Sequence, residues 1–366
     1  MELTLNLDKI QSDNVSKYAK TILDKQNPYK NFKIENYKYA QLHRDIRSEI
    51  LQRDIDISEL LKISKNISTF SSNPVDLASN LNQWKYKNDD SFFRVSSLLK
   101  RDTSSINLDL IEDKNIILDI SQIINNSHFL KSSKNEINLI IMNTKSKDEY
   151  PKSIFFDISN NSNLNVIHFN ISNFKSFLYF ESNLQDNSHL NFVSFQSDNI
   201  HTRNEFYASL NLECNFDLFG LNINNYGVND NYSFIQHLKP SSSSREIFKS
   251  IVEKGAITNF QGKIYVDSIA QKTDGYQMSR SLLLDDISKA NNKPELEIYA
   301  DDVKCSHGST VSKLDEDQIY YFKSRGIDSE MAKKILKKAF IAEIIESIKD
   351  DKLRGYSNKI IESLLT

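Results

Sequence analysis

The sequence predicts a mainly β protein, in which a central β-solenoid is flanked by helical regions at both ends. From about Ile106, apolar and polar residues alternate with a period of two, which is typical of strands. The runs are separated by turns rich in Asn, Ser and Asp rather than by helices. A weak repeat with an offset of 26 residues favours a solenoid, and a β-sandwich stays the alternative.

The N-terminal region, residues 1–100, is predicted to be helical. Apolar residues recur at helical spacing over residues 14–65, with a break at Asn27–Pro28. A turn follows at residues 71–74, and helical spacing returns around Trp84, up to about Leu99. We interpret this tryptophan as a core residue rather than as a binding platform.

The β core is predicted to cover residues 101–312. The repeat aligns Leu164 with Leu190 and Phe169 with Phe195, and a third copy is expected to begin at Leu212. The clearest strand runs are 137–143, 153–159, 163–171, 177–182, 189–197 and 206–224.

One segment breaks this pattern late in the core. Residues 245–254 are expected to interrupt the strands. Strand patterning then returns in three further runs, at residues 256–270, 281–287 and 295–300.

The C-terminal region, residues 313–366, is predicted to be helical. Gly326 is placed to end a first helix and Asp328 to cap a second. The second helix has a wide apolar face that includes Phe340 and Ile344. Gly355 is expected to end it, before a short final helix. Such a face packs either within the chain or on a partner, and both alternatives stay open.

Composition and charge exclude several classes of protein. The chain has 366 residues and a net charge of −3, so a nucleic-acid-binding surface is not expected. Its two cysteines do not suggest a disulfide framework. We see no secretory signal at the N-terminus and no apolar run of about 20 residues that could span a membrane. The expectation is a soluble, cytoplasmic protein.

Sequence motifs for catalysis are weak. The nearest approach to a phosphate-binding loop, Gly255 to Lys263, has the wrong spacing and lacks the Ser or Thr that binds magnesium. A serine nucleophile among residues 241–244 is disfavoured, because a serine run after proline usually forms a turn. The acid pair Asp301–Asp302 suggests a solenoid carbohydrate-active enzyme, but adjacent strand residues point to opposite faces. We therefore expect no enzyme activity.

Cys305 and His307 form the sequence's one cysteine–histidine pair at ligand spacing. If the chain is extended here, both side chains lie on one face, roughly 7 Å apart. A thiol and an imidazole are suitable metal ligands, but they form only half of a site. From spacing alone, a structural role is favoured over a metal site shared with another chain.

Residues 260–340 resemble the SufB/SufD family of iron–sulfur cluster assembly proteins. The matching stretches are FQGKIYVDSIAQKTDGYQ (260–277), SLLL (281–284), KPELEIYADDVKCSHGSTVSKLDEDQIYYFKSRGI (293–327) and AKKILKKAF (332–340). Gly308 after His307, and the small number of cysteines, resemble the SufD branch, since SufB proteins have a Glu there. The segment NPYKNFKIENYKYAQLH (27–43) is similar to the family's N-terminal segment.

The resemblance implies a right-handed parallel β-helix in a non-catalytic scaffold subunit that pairs with SufB and the ATPase SufC. It implies that His307, and with less support Cys305, contribute to a transient iron or iron–sulfur site shared with SufB. The last strands of the β-helix are expected to contact SufB, and the C-terminal helices to contact SufC. The residues concerned are Asp301, Asp302, Lys304, Phe340 and Ile344.

Two further points stay open at this stage. A scaffold acting alone as a homodimer would hold a cluster between two copies of the chain. The resemblance also leaves open whether a flavin binds at the level of the complex. Cluster type and stoichiometry do not follow from the sequence.

Overall fold

The strands of this protein form a parallel β-solenoid, and helices follow at its C-terminal end. The computed structural model describes residues 65–66, 103–120, 127–133, 136–143, 152–171, 175–197 and 201–365. The N-terminal region predicted to be helical lies outside these ranges except for Lys65–Asn66, which form a strand rather than part of a helix. The predicted solenoid is confirmed by the strand pairing, and the sandwich alternative is wrong because all the described pairings are parallel.

Successive strands alternate between two sheets. Among the described residues, odd-numbered strands form one sheet, called sheet A, and even-numbered strands form the other, called sheet B. Their bounds are β1 Lys65–Asn66, β2 Thr103–Asn107, β3 Asn115–Asp119, β4 Ser127–Ser132, β5 Ile137–Asn143, β6 Lys152–Ile158, β7 Asn163–Ile171, β8 Ser176–Leu184, β9 His189–Ser197, β10 His201–Leu210, β11 Asn215–Asn224, β12 Val228–His237, β13 Ser243–Val252, β14 Ile257–Val266, β15 Thr273–Leu283, β16 Lys289–Ile298 and β17 Val303–Lys313. A short 3-10 helix, Leu108–Leu110, follows β2.

The register of the sheets explains the sequence repeat. In the pairing of β7 with β9, Leu164 lies beside Leu190 and Phe169 beside Phe195, so the offset of 26 is confirmed. The expected start of a third copy at Leu212 is wrong, because Leu190 pairs with Phe216 at the same offset. Backbone hydrogen bonds between parallel strands fix the register of neighbouring turns of the solenoid.

Two predicted features of the strand pattern are corrected. The run 206–224 is two strands, β10 and β11, with a turn in which Glu213 adopts φ 55°. The expected interruption at residues 245–254 is wrong, because this segment forms most of β13. Its charged residues are accommodated by distant partners: Glu246 bonds to Gln277, and Lys249 pairs with a glutamate of a C-terminal helix.

The short connections that lead from sheet B to sheet A stack on one another. Each connection, from the one after β6 to the one after β14, contains a residue with positive φ. The backbone N–H of this residue donates to a carbonyl oxygen in the next such connection along the solenoid axis. The last of these hydrogen bonds runs from Lys272 N to Asp302 O at 2.6 Å. The residues with positive φ are Asn161, Asn187, Glu213, Ser241 and Lys272.

The helices are α1 Glu316–Ser324, α2 Ser329–Glu346 and α3 Asp351–Leu364. Asp328 caps α2 through a hydrogen bond from Met331 N, as predicted. Gly326 has φ +81° and follows the end of α1, also as predicted. The expectation that Gly355 ends the second helix is wrong. Asp350 starts α3 by accepting hydrogen bonds from the first turn, and Gly355 lies within that helix.

The molecule has two apolar clusters. One fills the interior between the two sheets and includes Val166, Phe192 and Leu218. The other lies between the outer face of sheet A and helices α2 and α3. The apolar helix face therefore packs within the chain, which is one of the two alternatives that the sequence left open.

Candidate functional site

The C-terminal end of the solenoid exposes its interior. Strands β16 and β17 are the last strands of their sheets in the described part of the chain. All residues of β10 and β12 are buried, whereas β16 and β17 contain no buried residue. Apolar residues that continue the interior are exposed here, with Ile298 at 38% and Val311 at 49%. We call this surface of β16 and β17 the open end.

Cys305 and His307 lie on the same face of β17, as the sequence predicted. The strand is extended from Val303 to Lys313, so residues two apart share a face. Cys305 packs against the interior cluster, and a Cβ placed on Gly275 of β15 would lie 3.2 Å from its Sγ. The interior face of β17 therefore carries both side chains, with the thiol half-buried and the imidazole exposed.

The surroundings of Cys305 favour the protonated thiol. Burial raises its pKa, the negative charge of Asp274 acts in the same direction, and a backbone hydrogen bond from Gly275 partly opposes them. Only the thiolate binds metal strongly, so Cys305 must lose a proton first. The imidazole of His307 is exposed at the open end, so a metal ion can reach it directly.

A column of interior side chains leads along sheet A to His307. Strand pairing places Val166, Phe192, Leu218, Glu246, Gln277 and His307 next to one another in successive turns. We call this set the interior column. Its first three members are apolar and its last three are polar, so its character changes towards the open end.

Glu246 and Gln277 are fully enclosed within this column. Gln277 Nε2 donates to Glu246 Oε2 at 2.6 Å, and both side chains are buried. Burial raises the pKa of Glu246 to about 7, although hydrogen bonding opposes the rise. Sequence reasoning missed this pair, because Glu246 lies in the segment that was expected to interrupt the strands. The available signal was its alternation with Phe248, two residues along the same strand.

The residues expected at a partner interface lie in two separate places. Asp301 and Asp302 are exposed in the turn before β17, and Lys304 is exposed on the strand. They adjoin Cys305 and His307 at the open end. Phe340 is half-buried on α2, with Lys249 Nζ 5.5 Å from its ring centre.

Ile344 is not on the surface. It is fully buried in the cluster between α2 and the outer face of sheet A. Its side chain therefore stabilises the docking of α2 on the solenoid. A partner would contact other residues of these helices.

His237 and the nearby serines have a structural arrangement. The ring nitrogens of His237 lie 2.7 Å from Ser242 Oγ and 2.9 Å from Ser244 Oγ. All three residues are buried, and burial lowers the pKa of His237 to about 3. The group connects the end of β12 to the start of β13 inside the solenoid, which leaves no access for a substrate.

The thiol and imidazole of β17 are two candidate metal ligands on one face of a strand. Among the described residues, no group of three or more His, Cys, Asp or Glu side chains is arranged to hold a metal ion. One exposed imidazole and one half-buried thiol are donors that suit iron. These two donors alone do not complete the coordination of a metal ion.

Within the described part of the chain, no helix has the length and apolar character needed to span a membrane.

Comparison with known families gives a match over more than half of the chain. Residues 132–340 match the family described as "SUF system FeS cluster assembly, SufBD core domain". The matched range begins in β4, includes the open end and reaches α2.

Individual relatives are similar over shorter stretches. The iron–sulfur cluster assembly protein SufD of Escherichia coli is 42% identical over 127 residues, which are 35% of this chain and 30% of that protein. Chloroplastic protein ABCI7 of Arabidopsis thaliana is 42% identical over 127 residues, covering 34% and 27%. SufD of Plasmodium berghei is 26% identical over 288 residues, covering 63% and 21%. The chain thus matches less than a third of the length of each of these relatives.

Proposed function

The chain belongs to the SufB/SufD family of SUF-system iron–sulfur cluster assembly proteins, and from this premise we propose that it is a SufD-like scaffold subunit. It pairs with SufB through the open end and with the ATPase SufC through its C-terminal helices. Its cargo is iron or a nascent cluster, shared with SufB at their interface. The chain positions this cargo and does not itself catalyse a reaction.

The observation that carries this proposal is that Cys305 and His307 lie at the open end, where the interior of the solenoid is exposed. Terminal turns of a solenoid need a cap, because each turn buries its faces only against its neighbours. Here β16 and β17 leave Ile298 and Val311 exposed, at the same end of the solenoid as His307. Exposed apolar surface and unpaired strand edges favour binding of another protein. A partner that covers this end would also bring ligands to His307.

The two candidate ligands have different roles in this proposal. His307, as a neutral imidazole, supplies a nitrogen ligand to iron. Cys305, whose half-buried thiol lies on the same face of β17, has a lesser role. Most of the thiolate ligands come from SufB.

Helix α2 provides a route from SufC to the open end. Glu343 of α2 pairs with Lys249 at 3.0 Å and with Arg245 at 3.2 Å, and both cations lie on β13. Strand β13 pairs with β15, and β15 pairs with β17. Movement of the helices by ATP-driven association of SufC subunits would therefore reach the strand that carries His307.

The test is His307→Ala in the complex co-purified with SufB and SufC. Cluster formation should fall by about tenfold or more while the complex stays intact, because losing a ligand costs at least as much as losing a group that orients one. The control is Ser309→Ala, which changes an exposed residue two positions along the same face. Normal cluster formation by an intact His307→Ala complex would exclude the ligand role.

Sizing separates the heteromeric scaffold from the homodimer. The purified chain is compared with and without SufB and SufC, and visible absorption is recorded for each fraction. We expect cluster absorption only in fractions that contain SufB. A dimer of this chain alone that holds the cluster would instead support the stand-alone scaffold.

A further inference from the structure

The geometry of the interior column points to a positioning role for its two buried polar residues. We propose that Gln277 Oε1 accepts a hydrogen bond from one ring nitrogen of His307 when a partner covers the open end. The other ring nitrogen then faces the cargo. Glu246 holds the Gln277 amide in the orientation that this requires. This inference rests on the proposed function, since it takes His307 to be a ligand.

Strand register places these side chains in line. Gln277 pairs with Glu246 on one side and with His307 on the other. Neighbouring strands lie about 4.8 Å apart, so rotation of the exposed imidazole about its side-chain torsions brings a ring nitrogen within reach of the amide.

The hydrogen bond to Glu246 determines which end of the amide faces His307. Gln277 Nε2 is committed to Glu246 Oε2 at 2.6 Å. Gln277 Oε1 is buried and has no hydrogen-bond donor among the described residues. A buried acceptor without a donor is destabilising. A neutral imidazole supplies the missing N–H while its second nitrogen stays available to metal.

The opposite sheet leaves room for this amide. Gly262 of β14 faces Gln277 across the interior, and a Cβ there would overlap Gln277 Nε2. In the central turns the equivalent positions of the column are apolar, as in Phe192 and Leu218. Within this column the polar pair lies next to the open end.

Metal-binding histidines commonly donate their second ring N–H to a carboxylate or a carbonyl group. Loss of that partner typically lowers metal affinity by about 10-fold to 100-fold. Gln277 can fill this role for His307, and Glu246 supports it one turn further in. Both are positioning residues, since neither touches the cargo.

The experiment measures Co(II) binding by the intact complex with SufB and SufC under anaerobic conditions. Co(II) substitutes for iron and reports its ligands through its visible absorption bands. We expect Gln277→Leu to weaken binding by about 10-fold to 100-fold and to shift the bands. The double variant Gln277→Glu/Glu246→Gln keeps a hydrogen bond between the two side chains, with the amide now at position 246, and an acceptor towards His307, so it should restore affinity to within a few-fold of the wild type.

Two controls separate the possible failures. Ser279→Ala changes a buried residue on the same strand, two positions further along, and should leave Co(II) affinity unchanged. If His307→Ala weakens binding but Gln277→Leu does not, the positioning role is wrong and the proposed function stands. Equal losses in Gln277→Leu and Ser279→Ala would show a general structural effect and would also overturn the inference. If His307→Ala itself binds Co(II) normally, the ligand role in the proposed function fails.

Discussion

The central turns of the solenoid and its last turn share one backbone plan but differ in what covers them. In β9 to β12, neighbouring turns enclose the interior on both sides, and Phe192 is 1% exposed. In β16 and β17 the same pleat and parallel register continue, yet every residue is at least partly exposed. Position along the axis, rather than local conformation, decides which residues are accessible.

The side chains of the interior column also differ between the central turns and the last turn. In the central turns the column is apolar, and its member Phe192 packs with Phe180 and Phe206 of sheet B, with ring centroids 5.1–5.5 Å apart. Near the open end it becomes Glu246, Gln277 and His307. Towards the open end the column therefore becomes polar, and of these three residues only His307 is exposed.

The largest expected effect is on the stability of the central turns. Phe192→Ala should reduce the free energy of unfolding by about 3–5 kcal/mol, because it opens a cavity among packed aromatic rings. Leu296→Ala in β16, which is only partly buried, should cost about 1 kcal/mol or less. Urea unfolding followed by circular dichroism measures both. Equal losses would contradict the division between central and terminal turns.

An intermediate effect is expected from Glu246→Gln, and it depends on pH. The folded chain keeps the Glu246 proton up to about pH 7, whereas the unfolded chain releases it near pH 4.5. The stabilisation that the folded wild type gains from binding the Glu246 proton is therefore fully present below pH 4.5, and it is lost as pH rises towards 7. Over this range the wild type should lose up to roughly 3 kcal/mol that Glu246→Gln retains.

Unfolding free energies at pH 5 and pH 8 test this sign. The stability of Glu246→Gln relative to the wild type should grow with pH. The control Glu330→Gln changes a side chain that is 85% exposed and should show no such trend. A difference independent of pH would show that Glu246 titrates normally in the folded protein.

The smallest effect on stability is expected at the open end. Val311→Asp should change the unfolding free energy of the isolated chain by less than about 0.5 kcal/mol, because the residue is half-exposed. Under the proposed function, the same change should sharply reduce co-purification of SufB, since it puts a charge into the apolar part of the interface. Leu110→Asp, at an exposed residue next to the first turns of the solenoid, is the matched control. Retained SufB binding by Val311→Asp would place the interface elsewhere.

Much of the candidate site could be predicted from residue order. The period of two places Cys305 and His307 on one face of a strand, and the extended β17 confirms it. The charged segment of β13 was harder to assign, because its partners are remote. Glu246 bonds to Gln277, 31 residues away, and Arg245 pairs with Glu343, 98 residues away.

Local features of this protein follow from residue order alone. They include the strands, the spacing of the repeat, the helix termini at Gly326 and Asp328, and the shared face of Cys305 and His307. These features depend on neighbours within a few positions, where side-chain period and capping chemistry act directly.

Tertiary packing, by contrast, determines which faces of the strands and helices are buried. Packing places Ile344 within the chain and sets Glu246 and Gln277 beneath His307. Those outcomes depend on contacts between successive turns and between helix and sheet. Their partners are distant along the chain and leave no local pattern in the sequence.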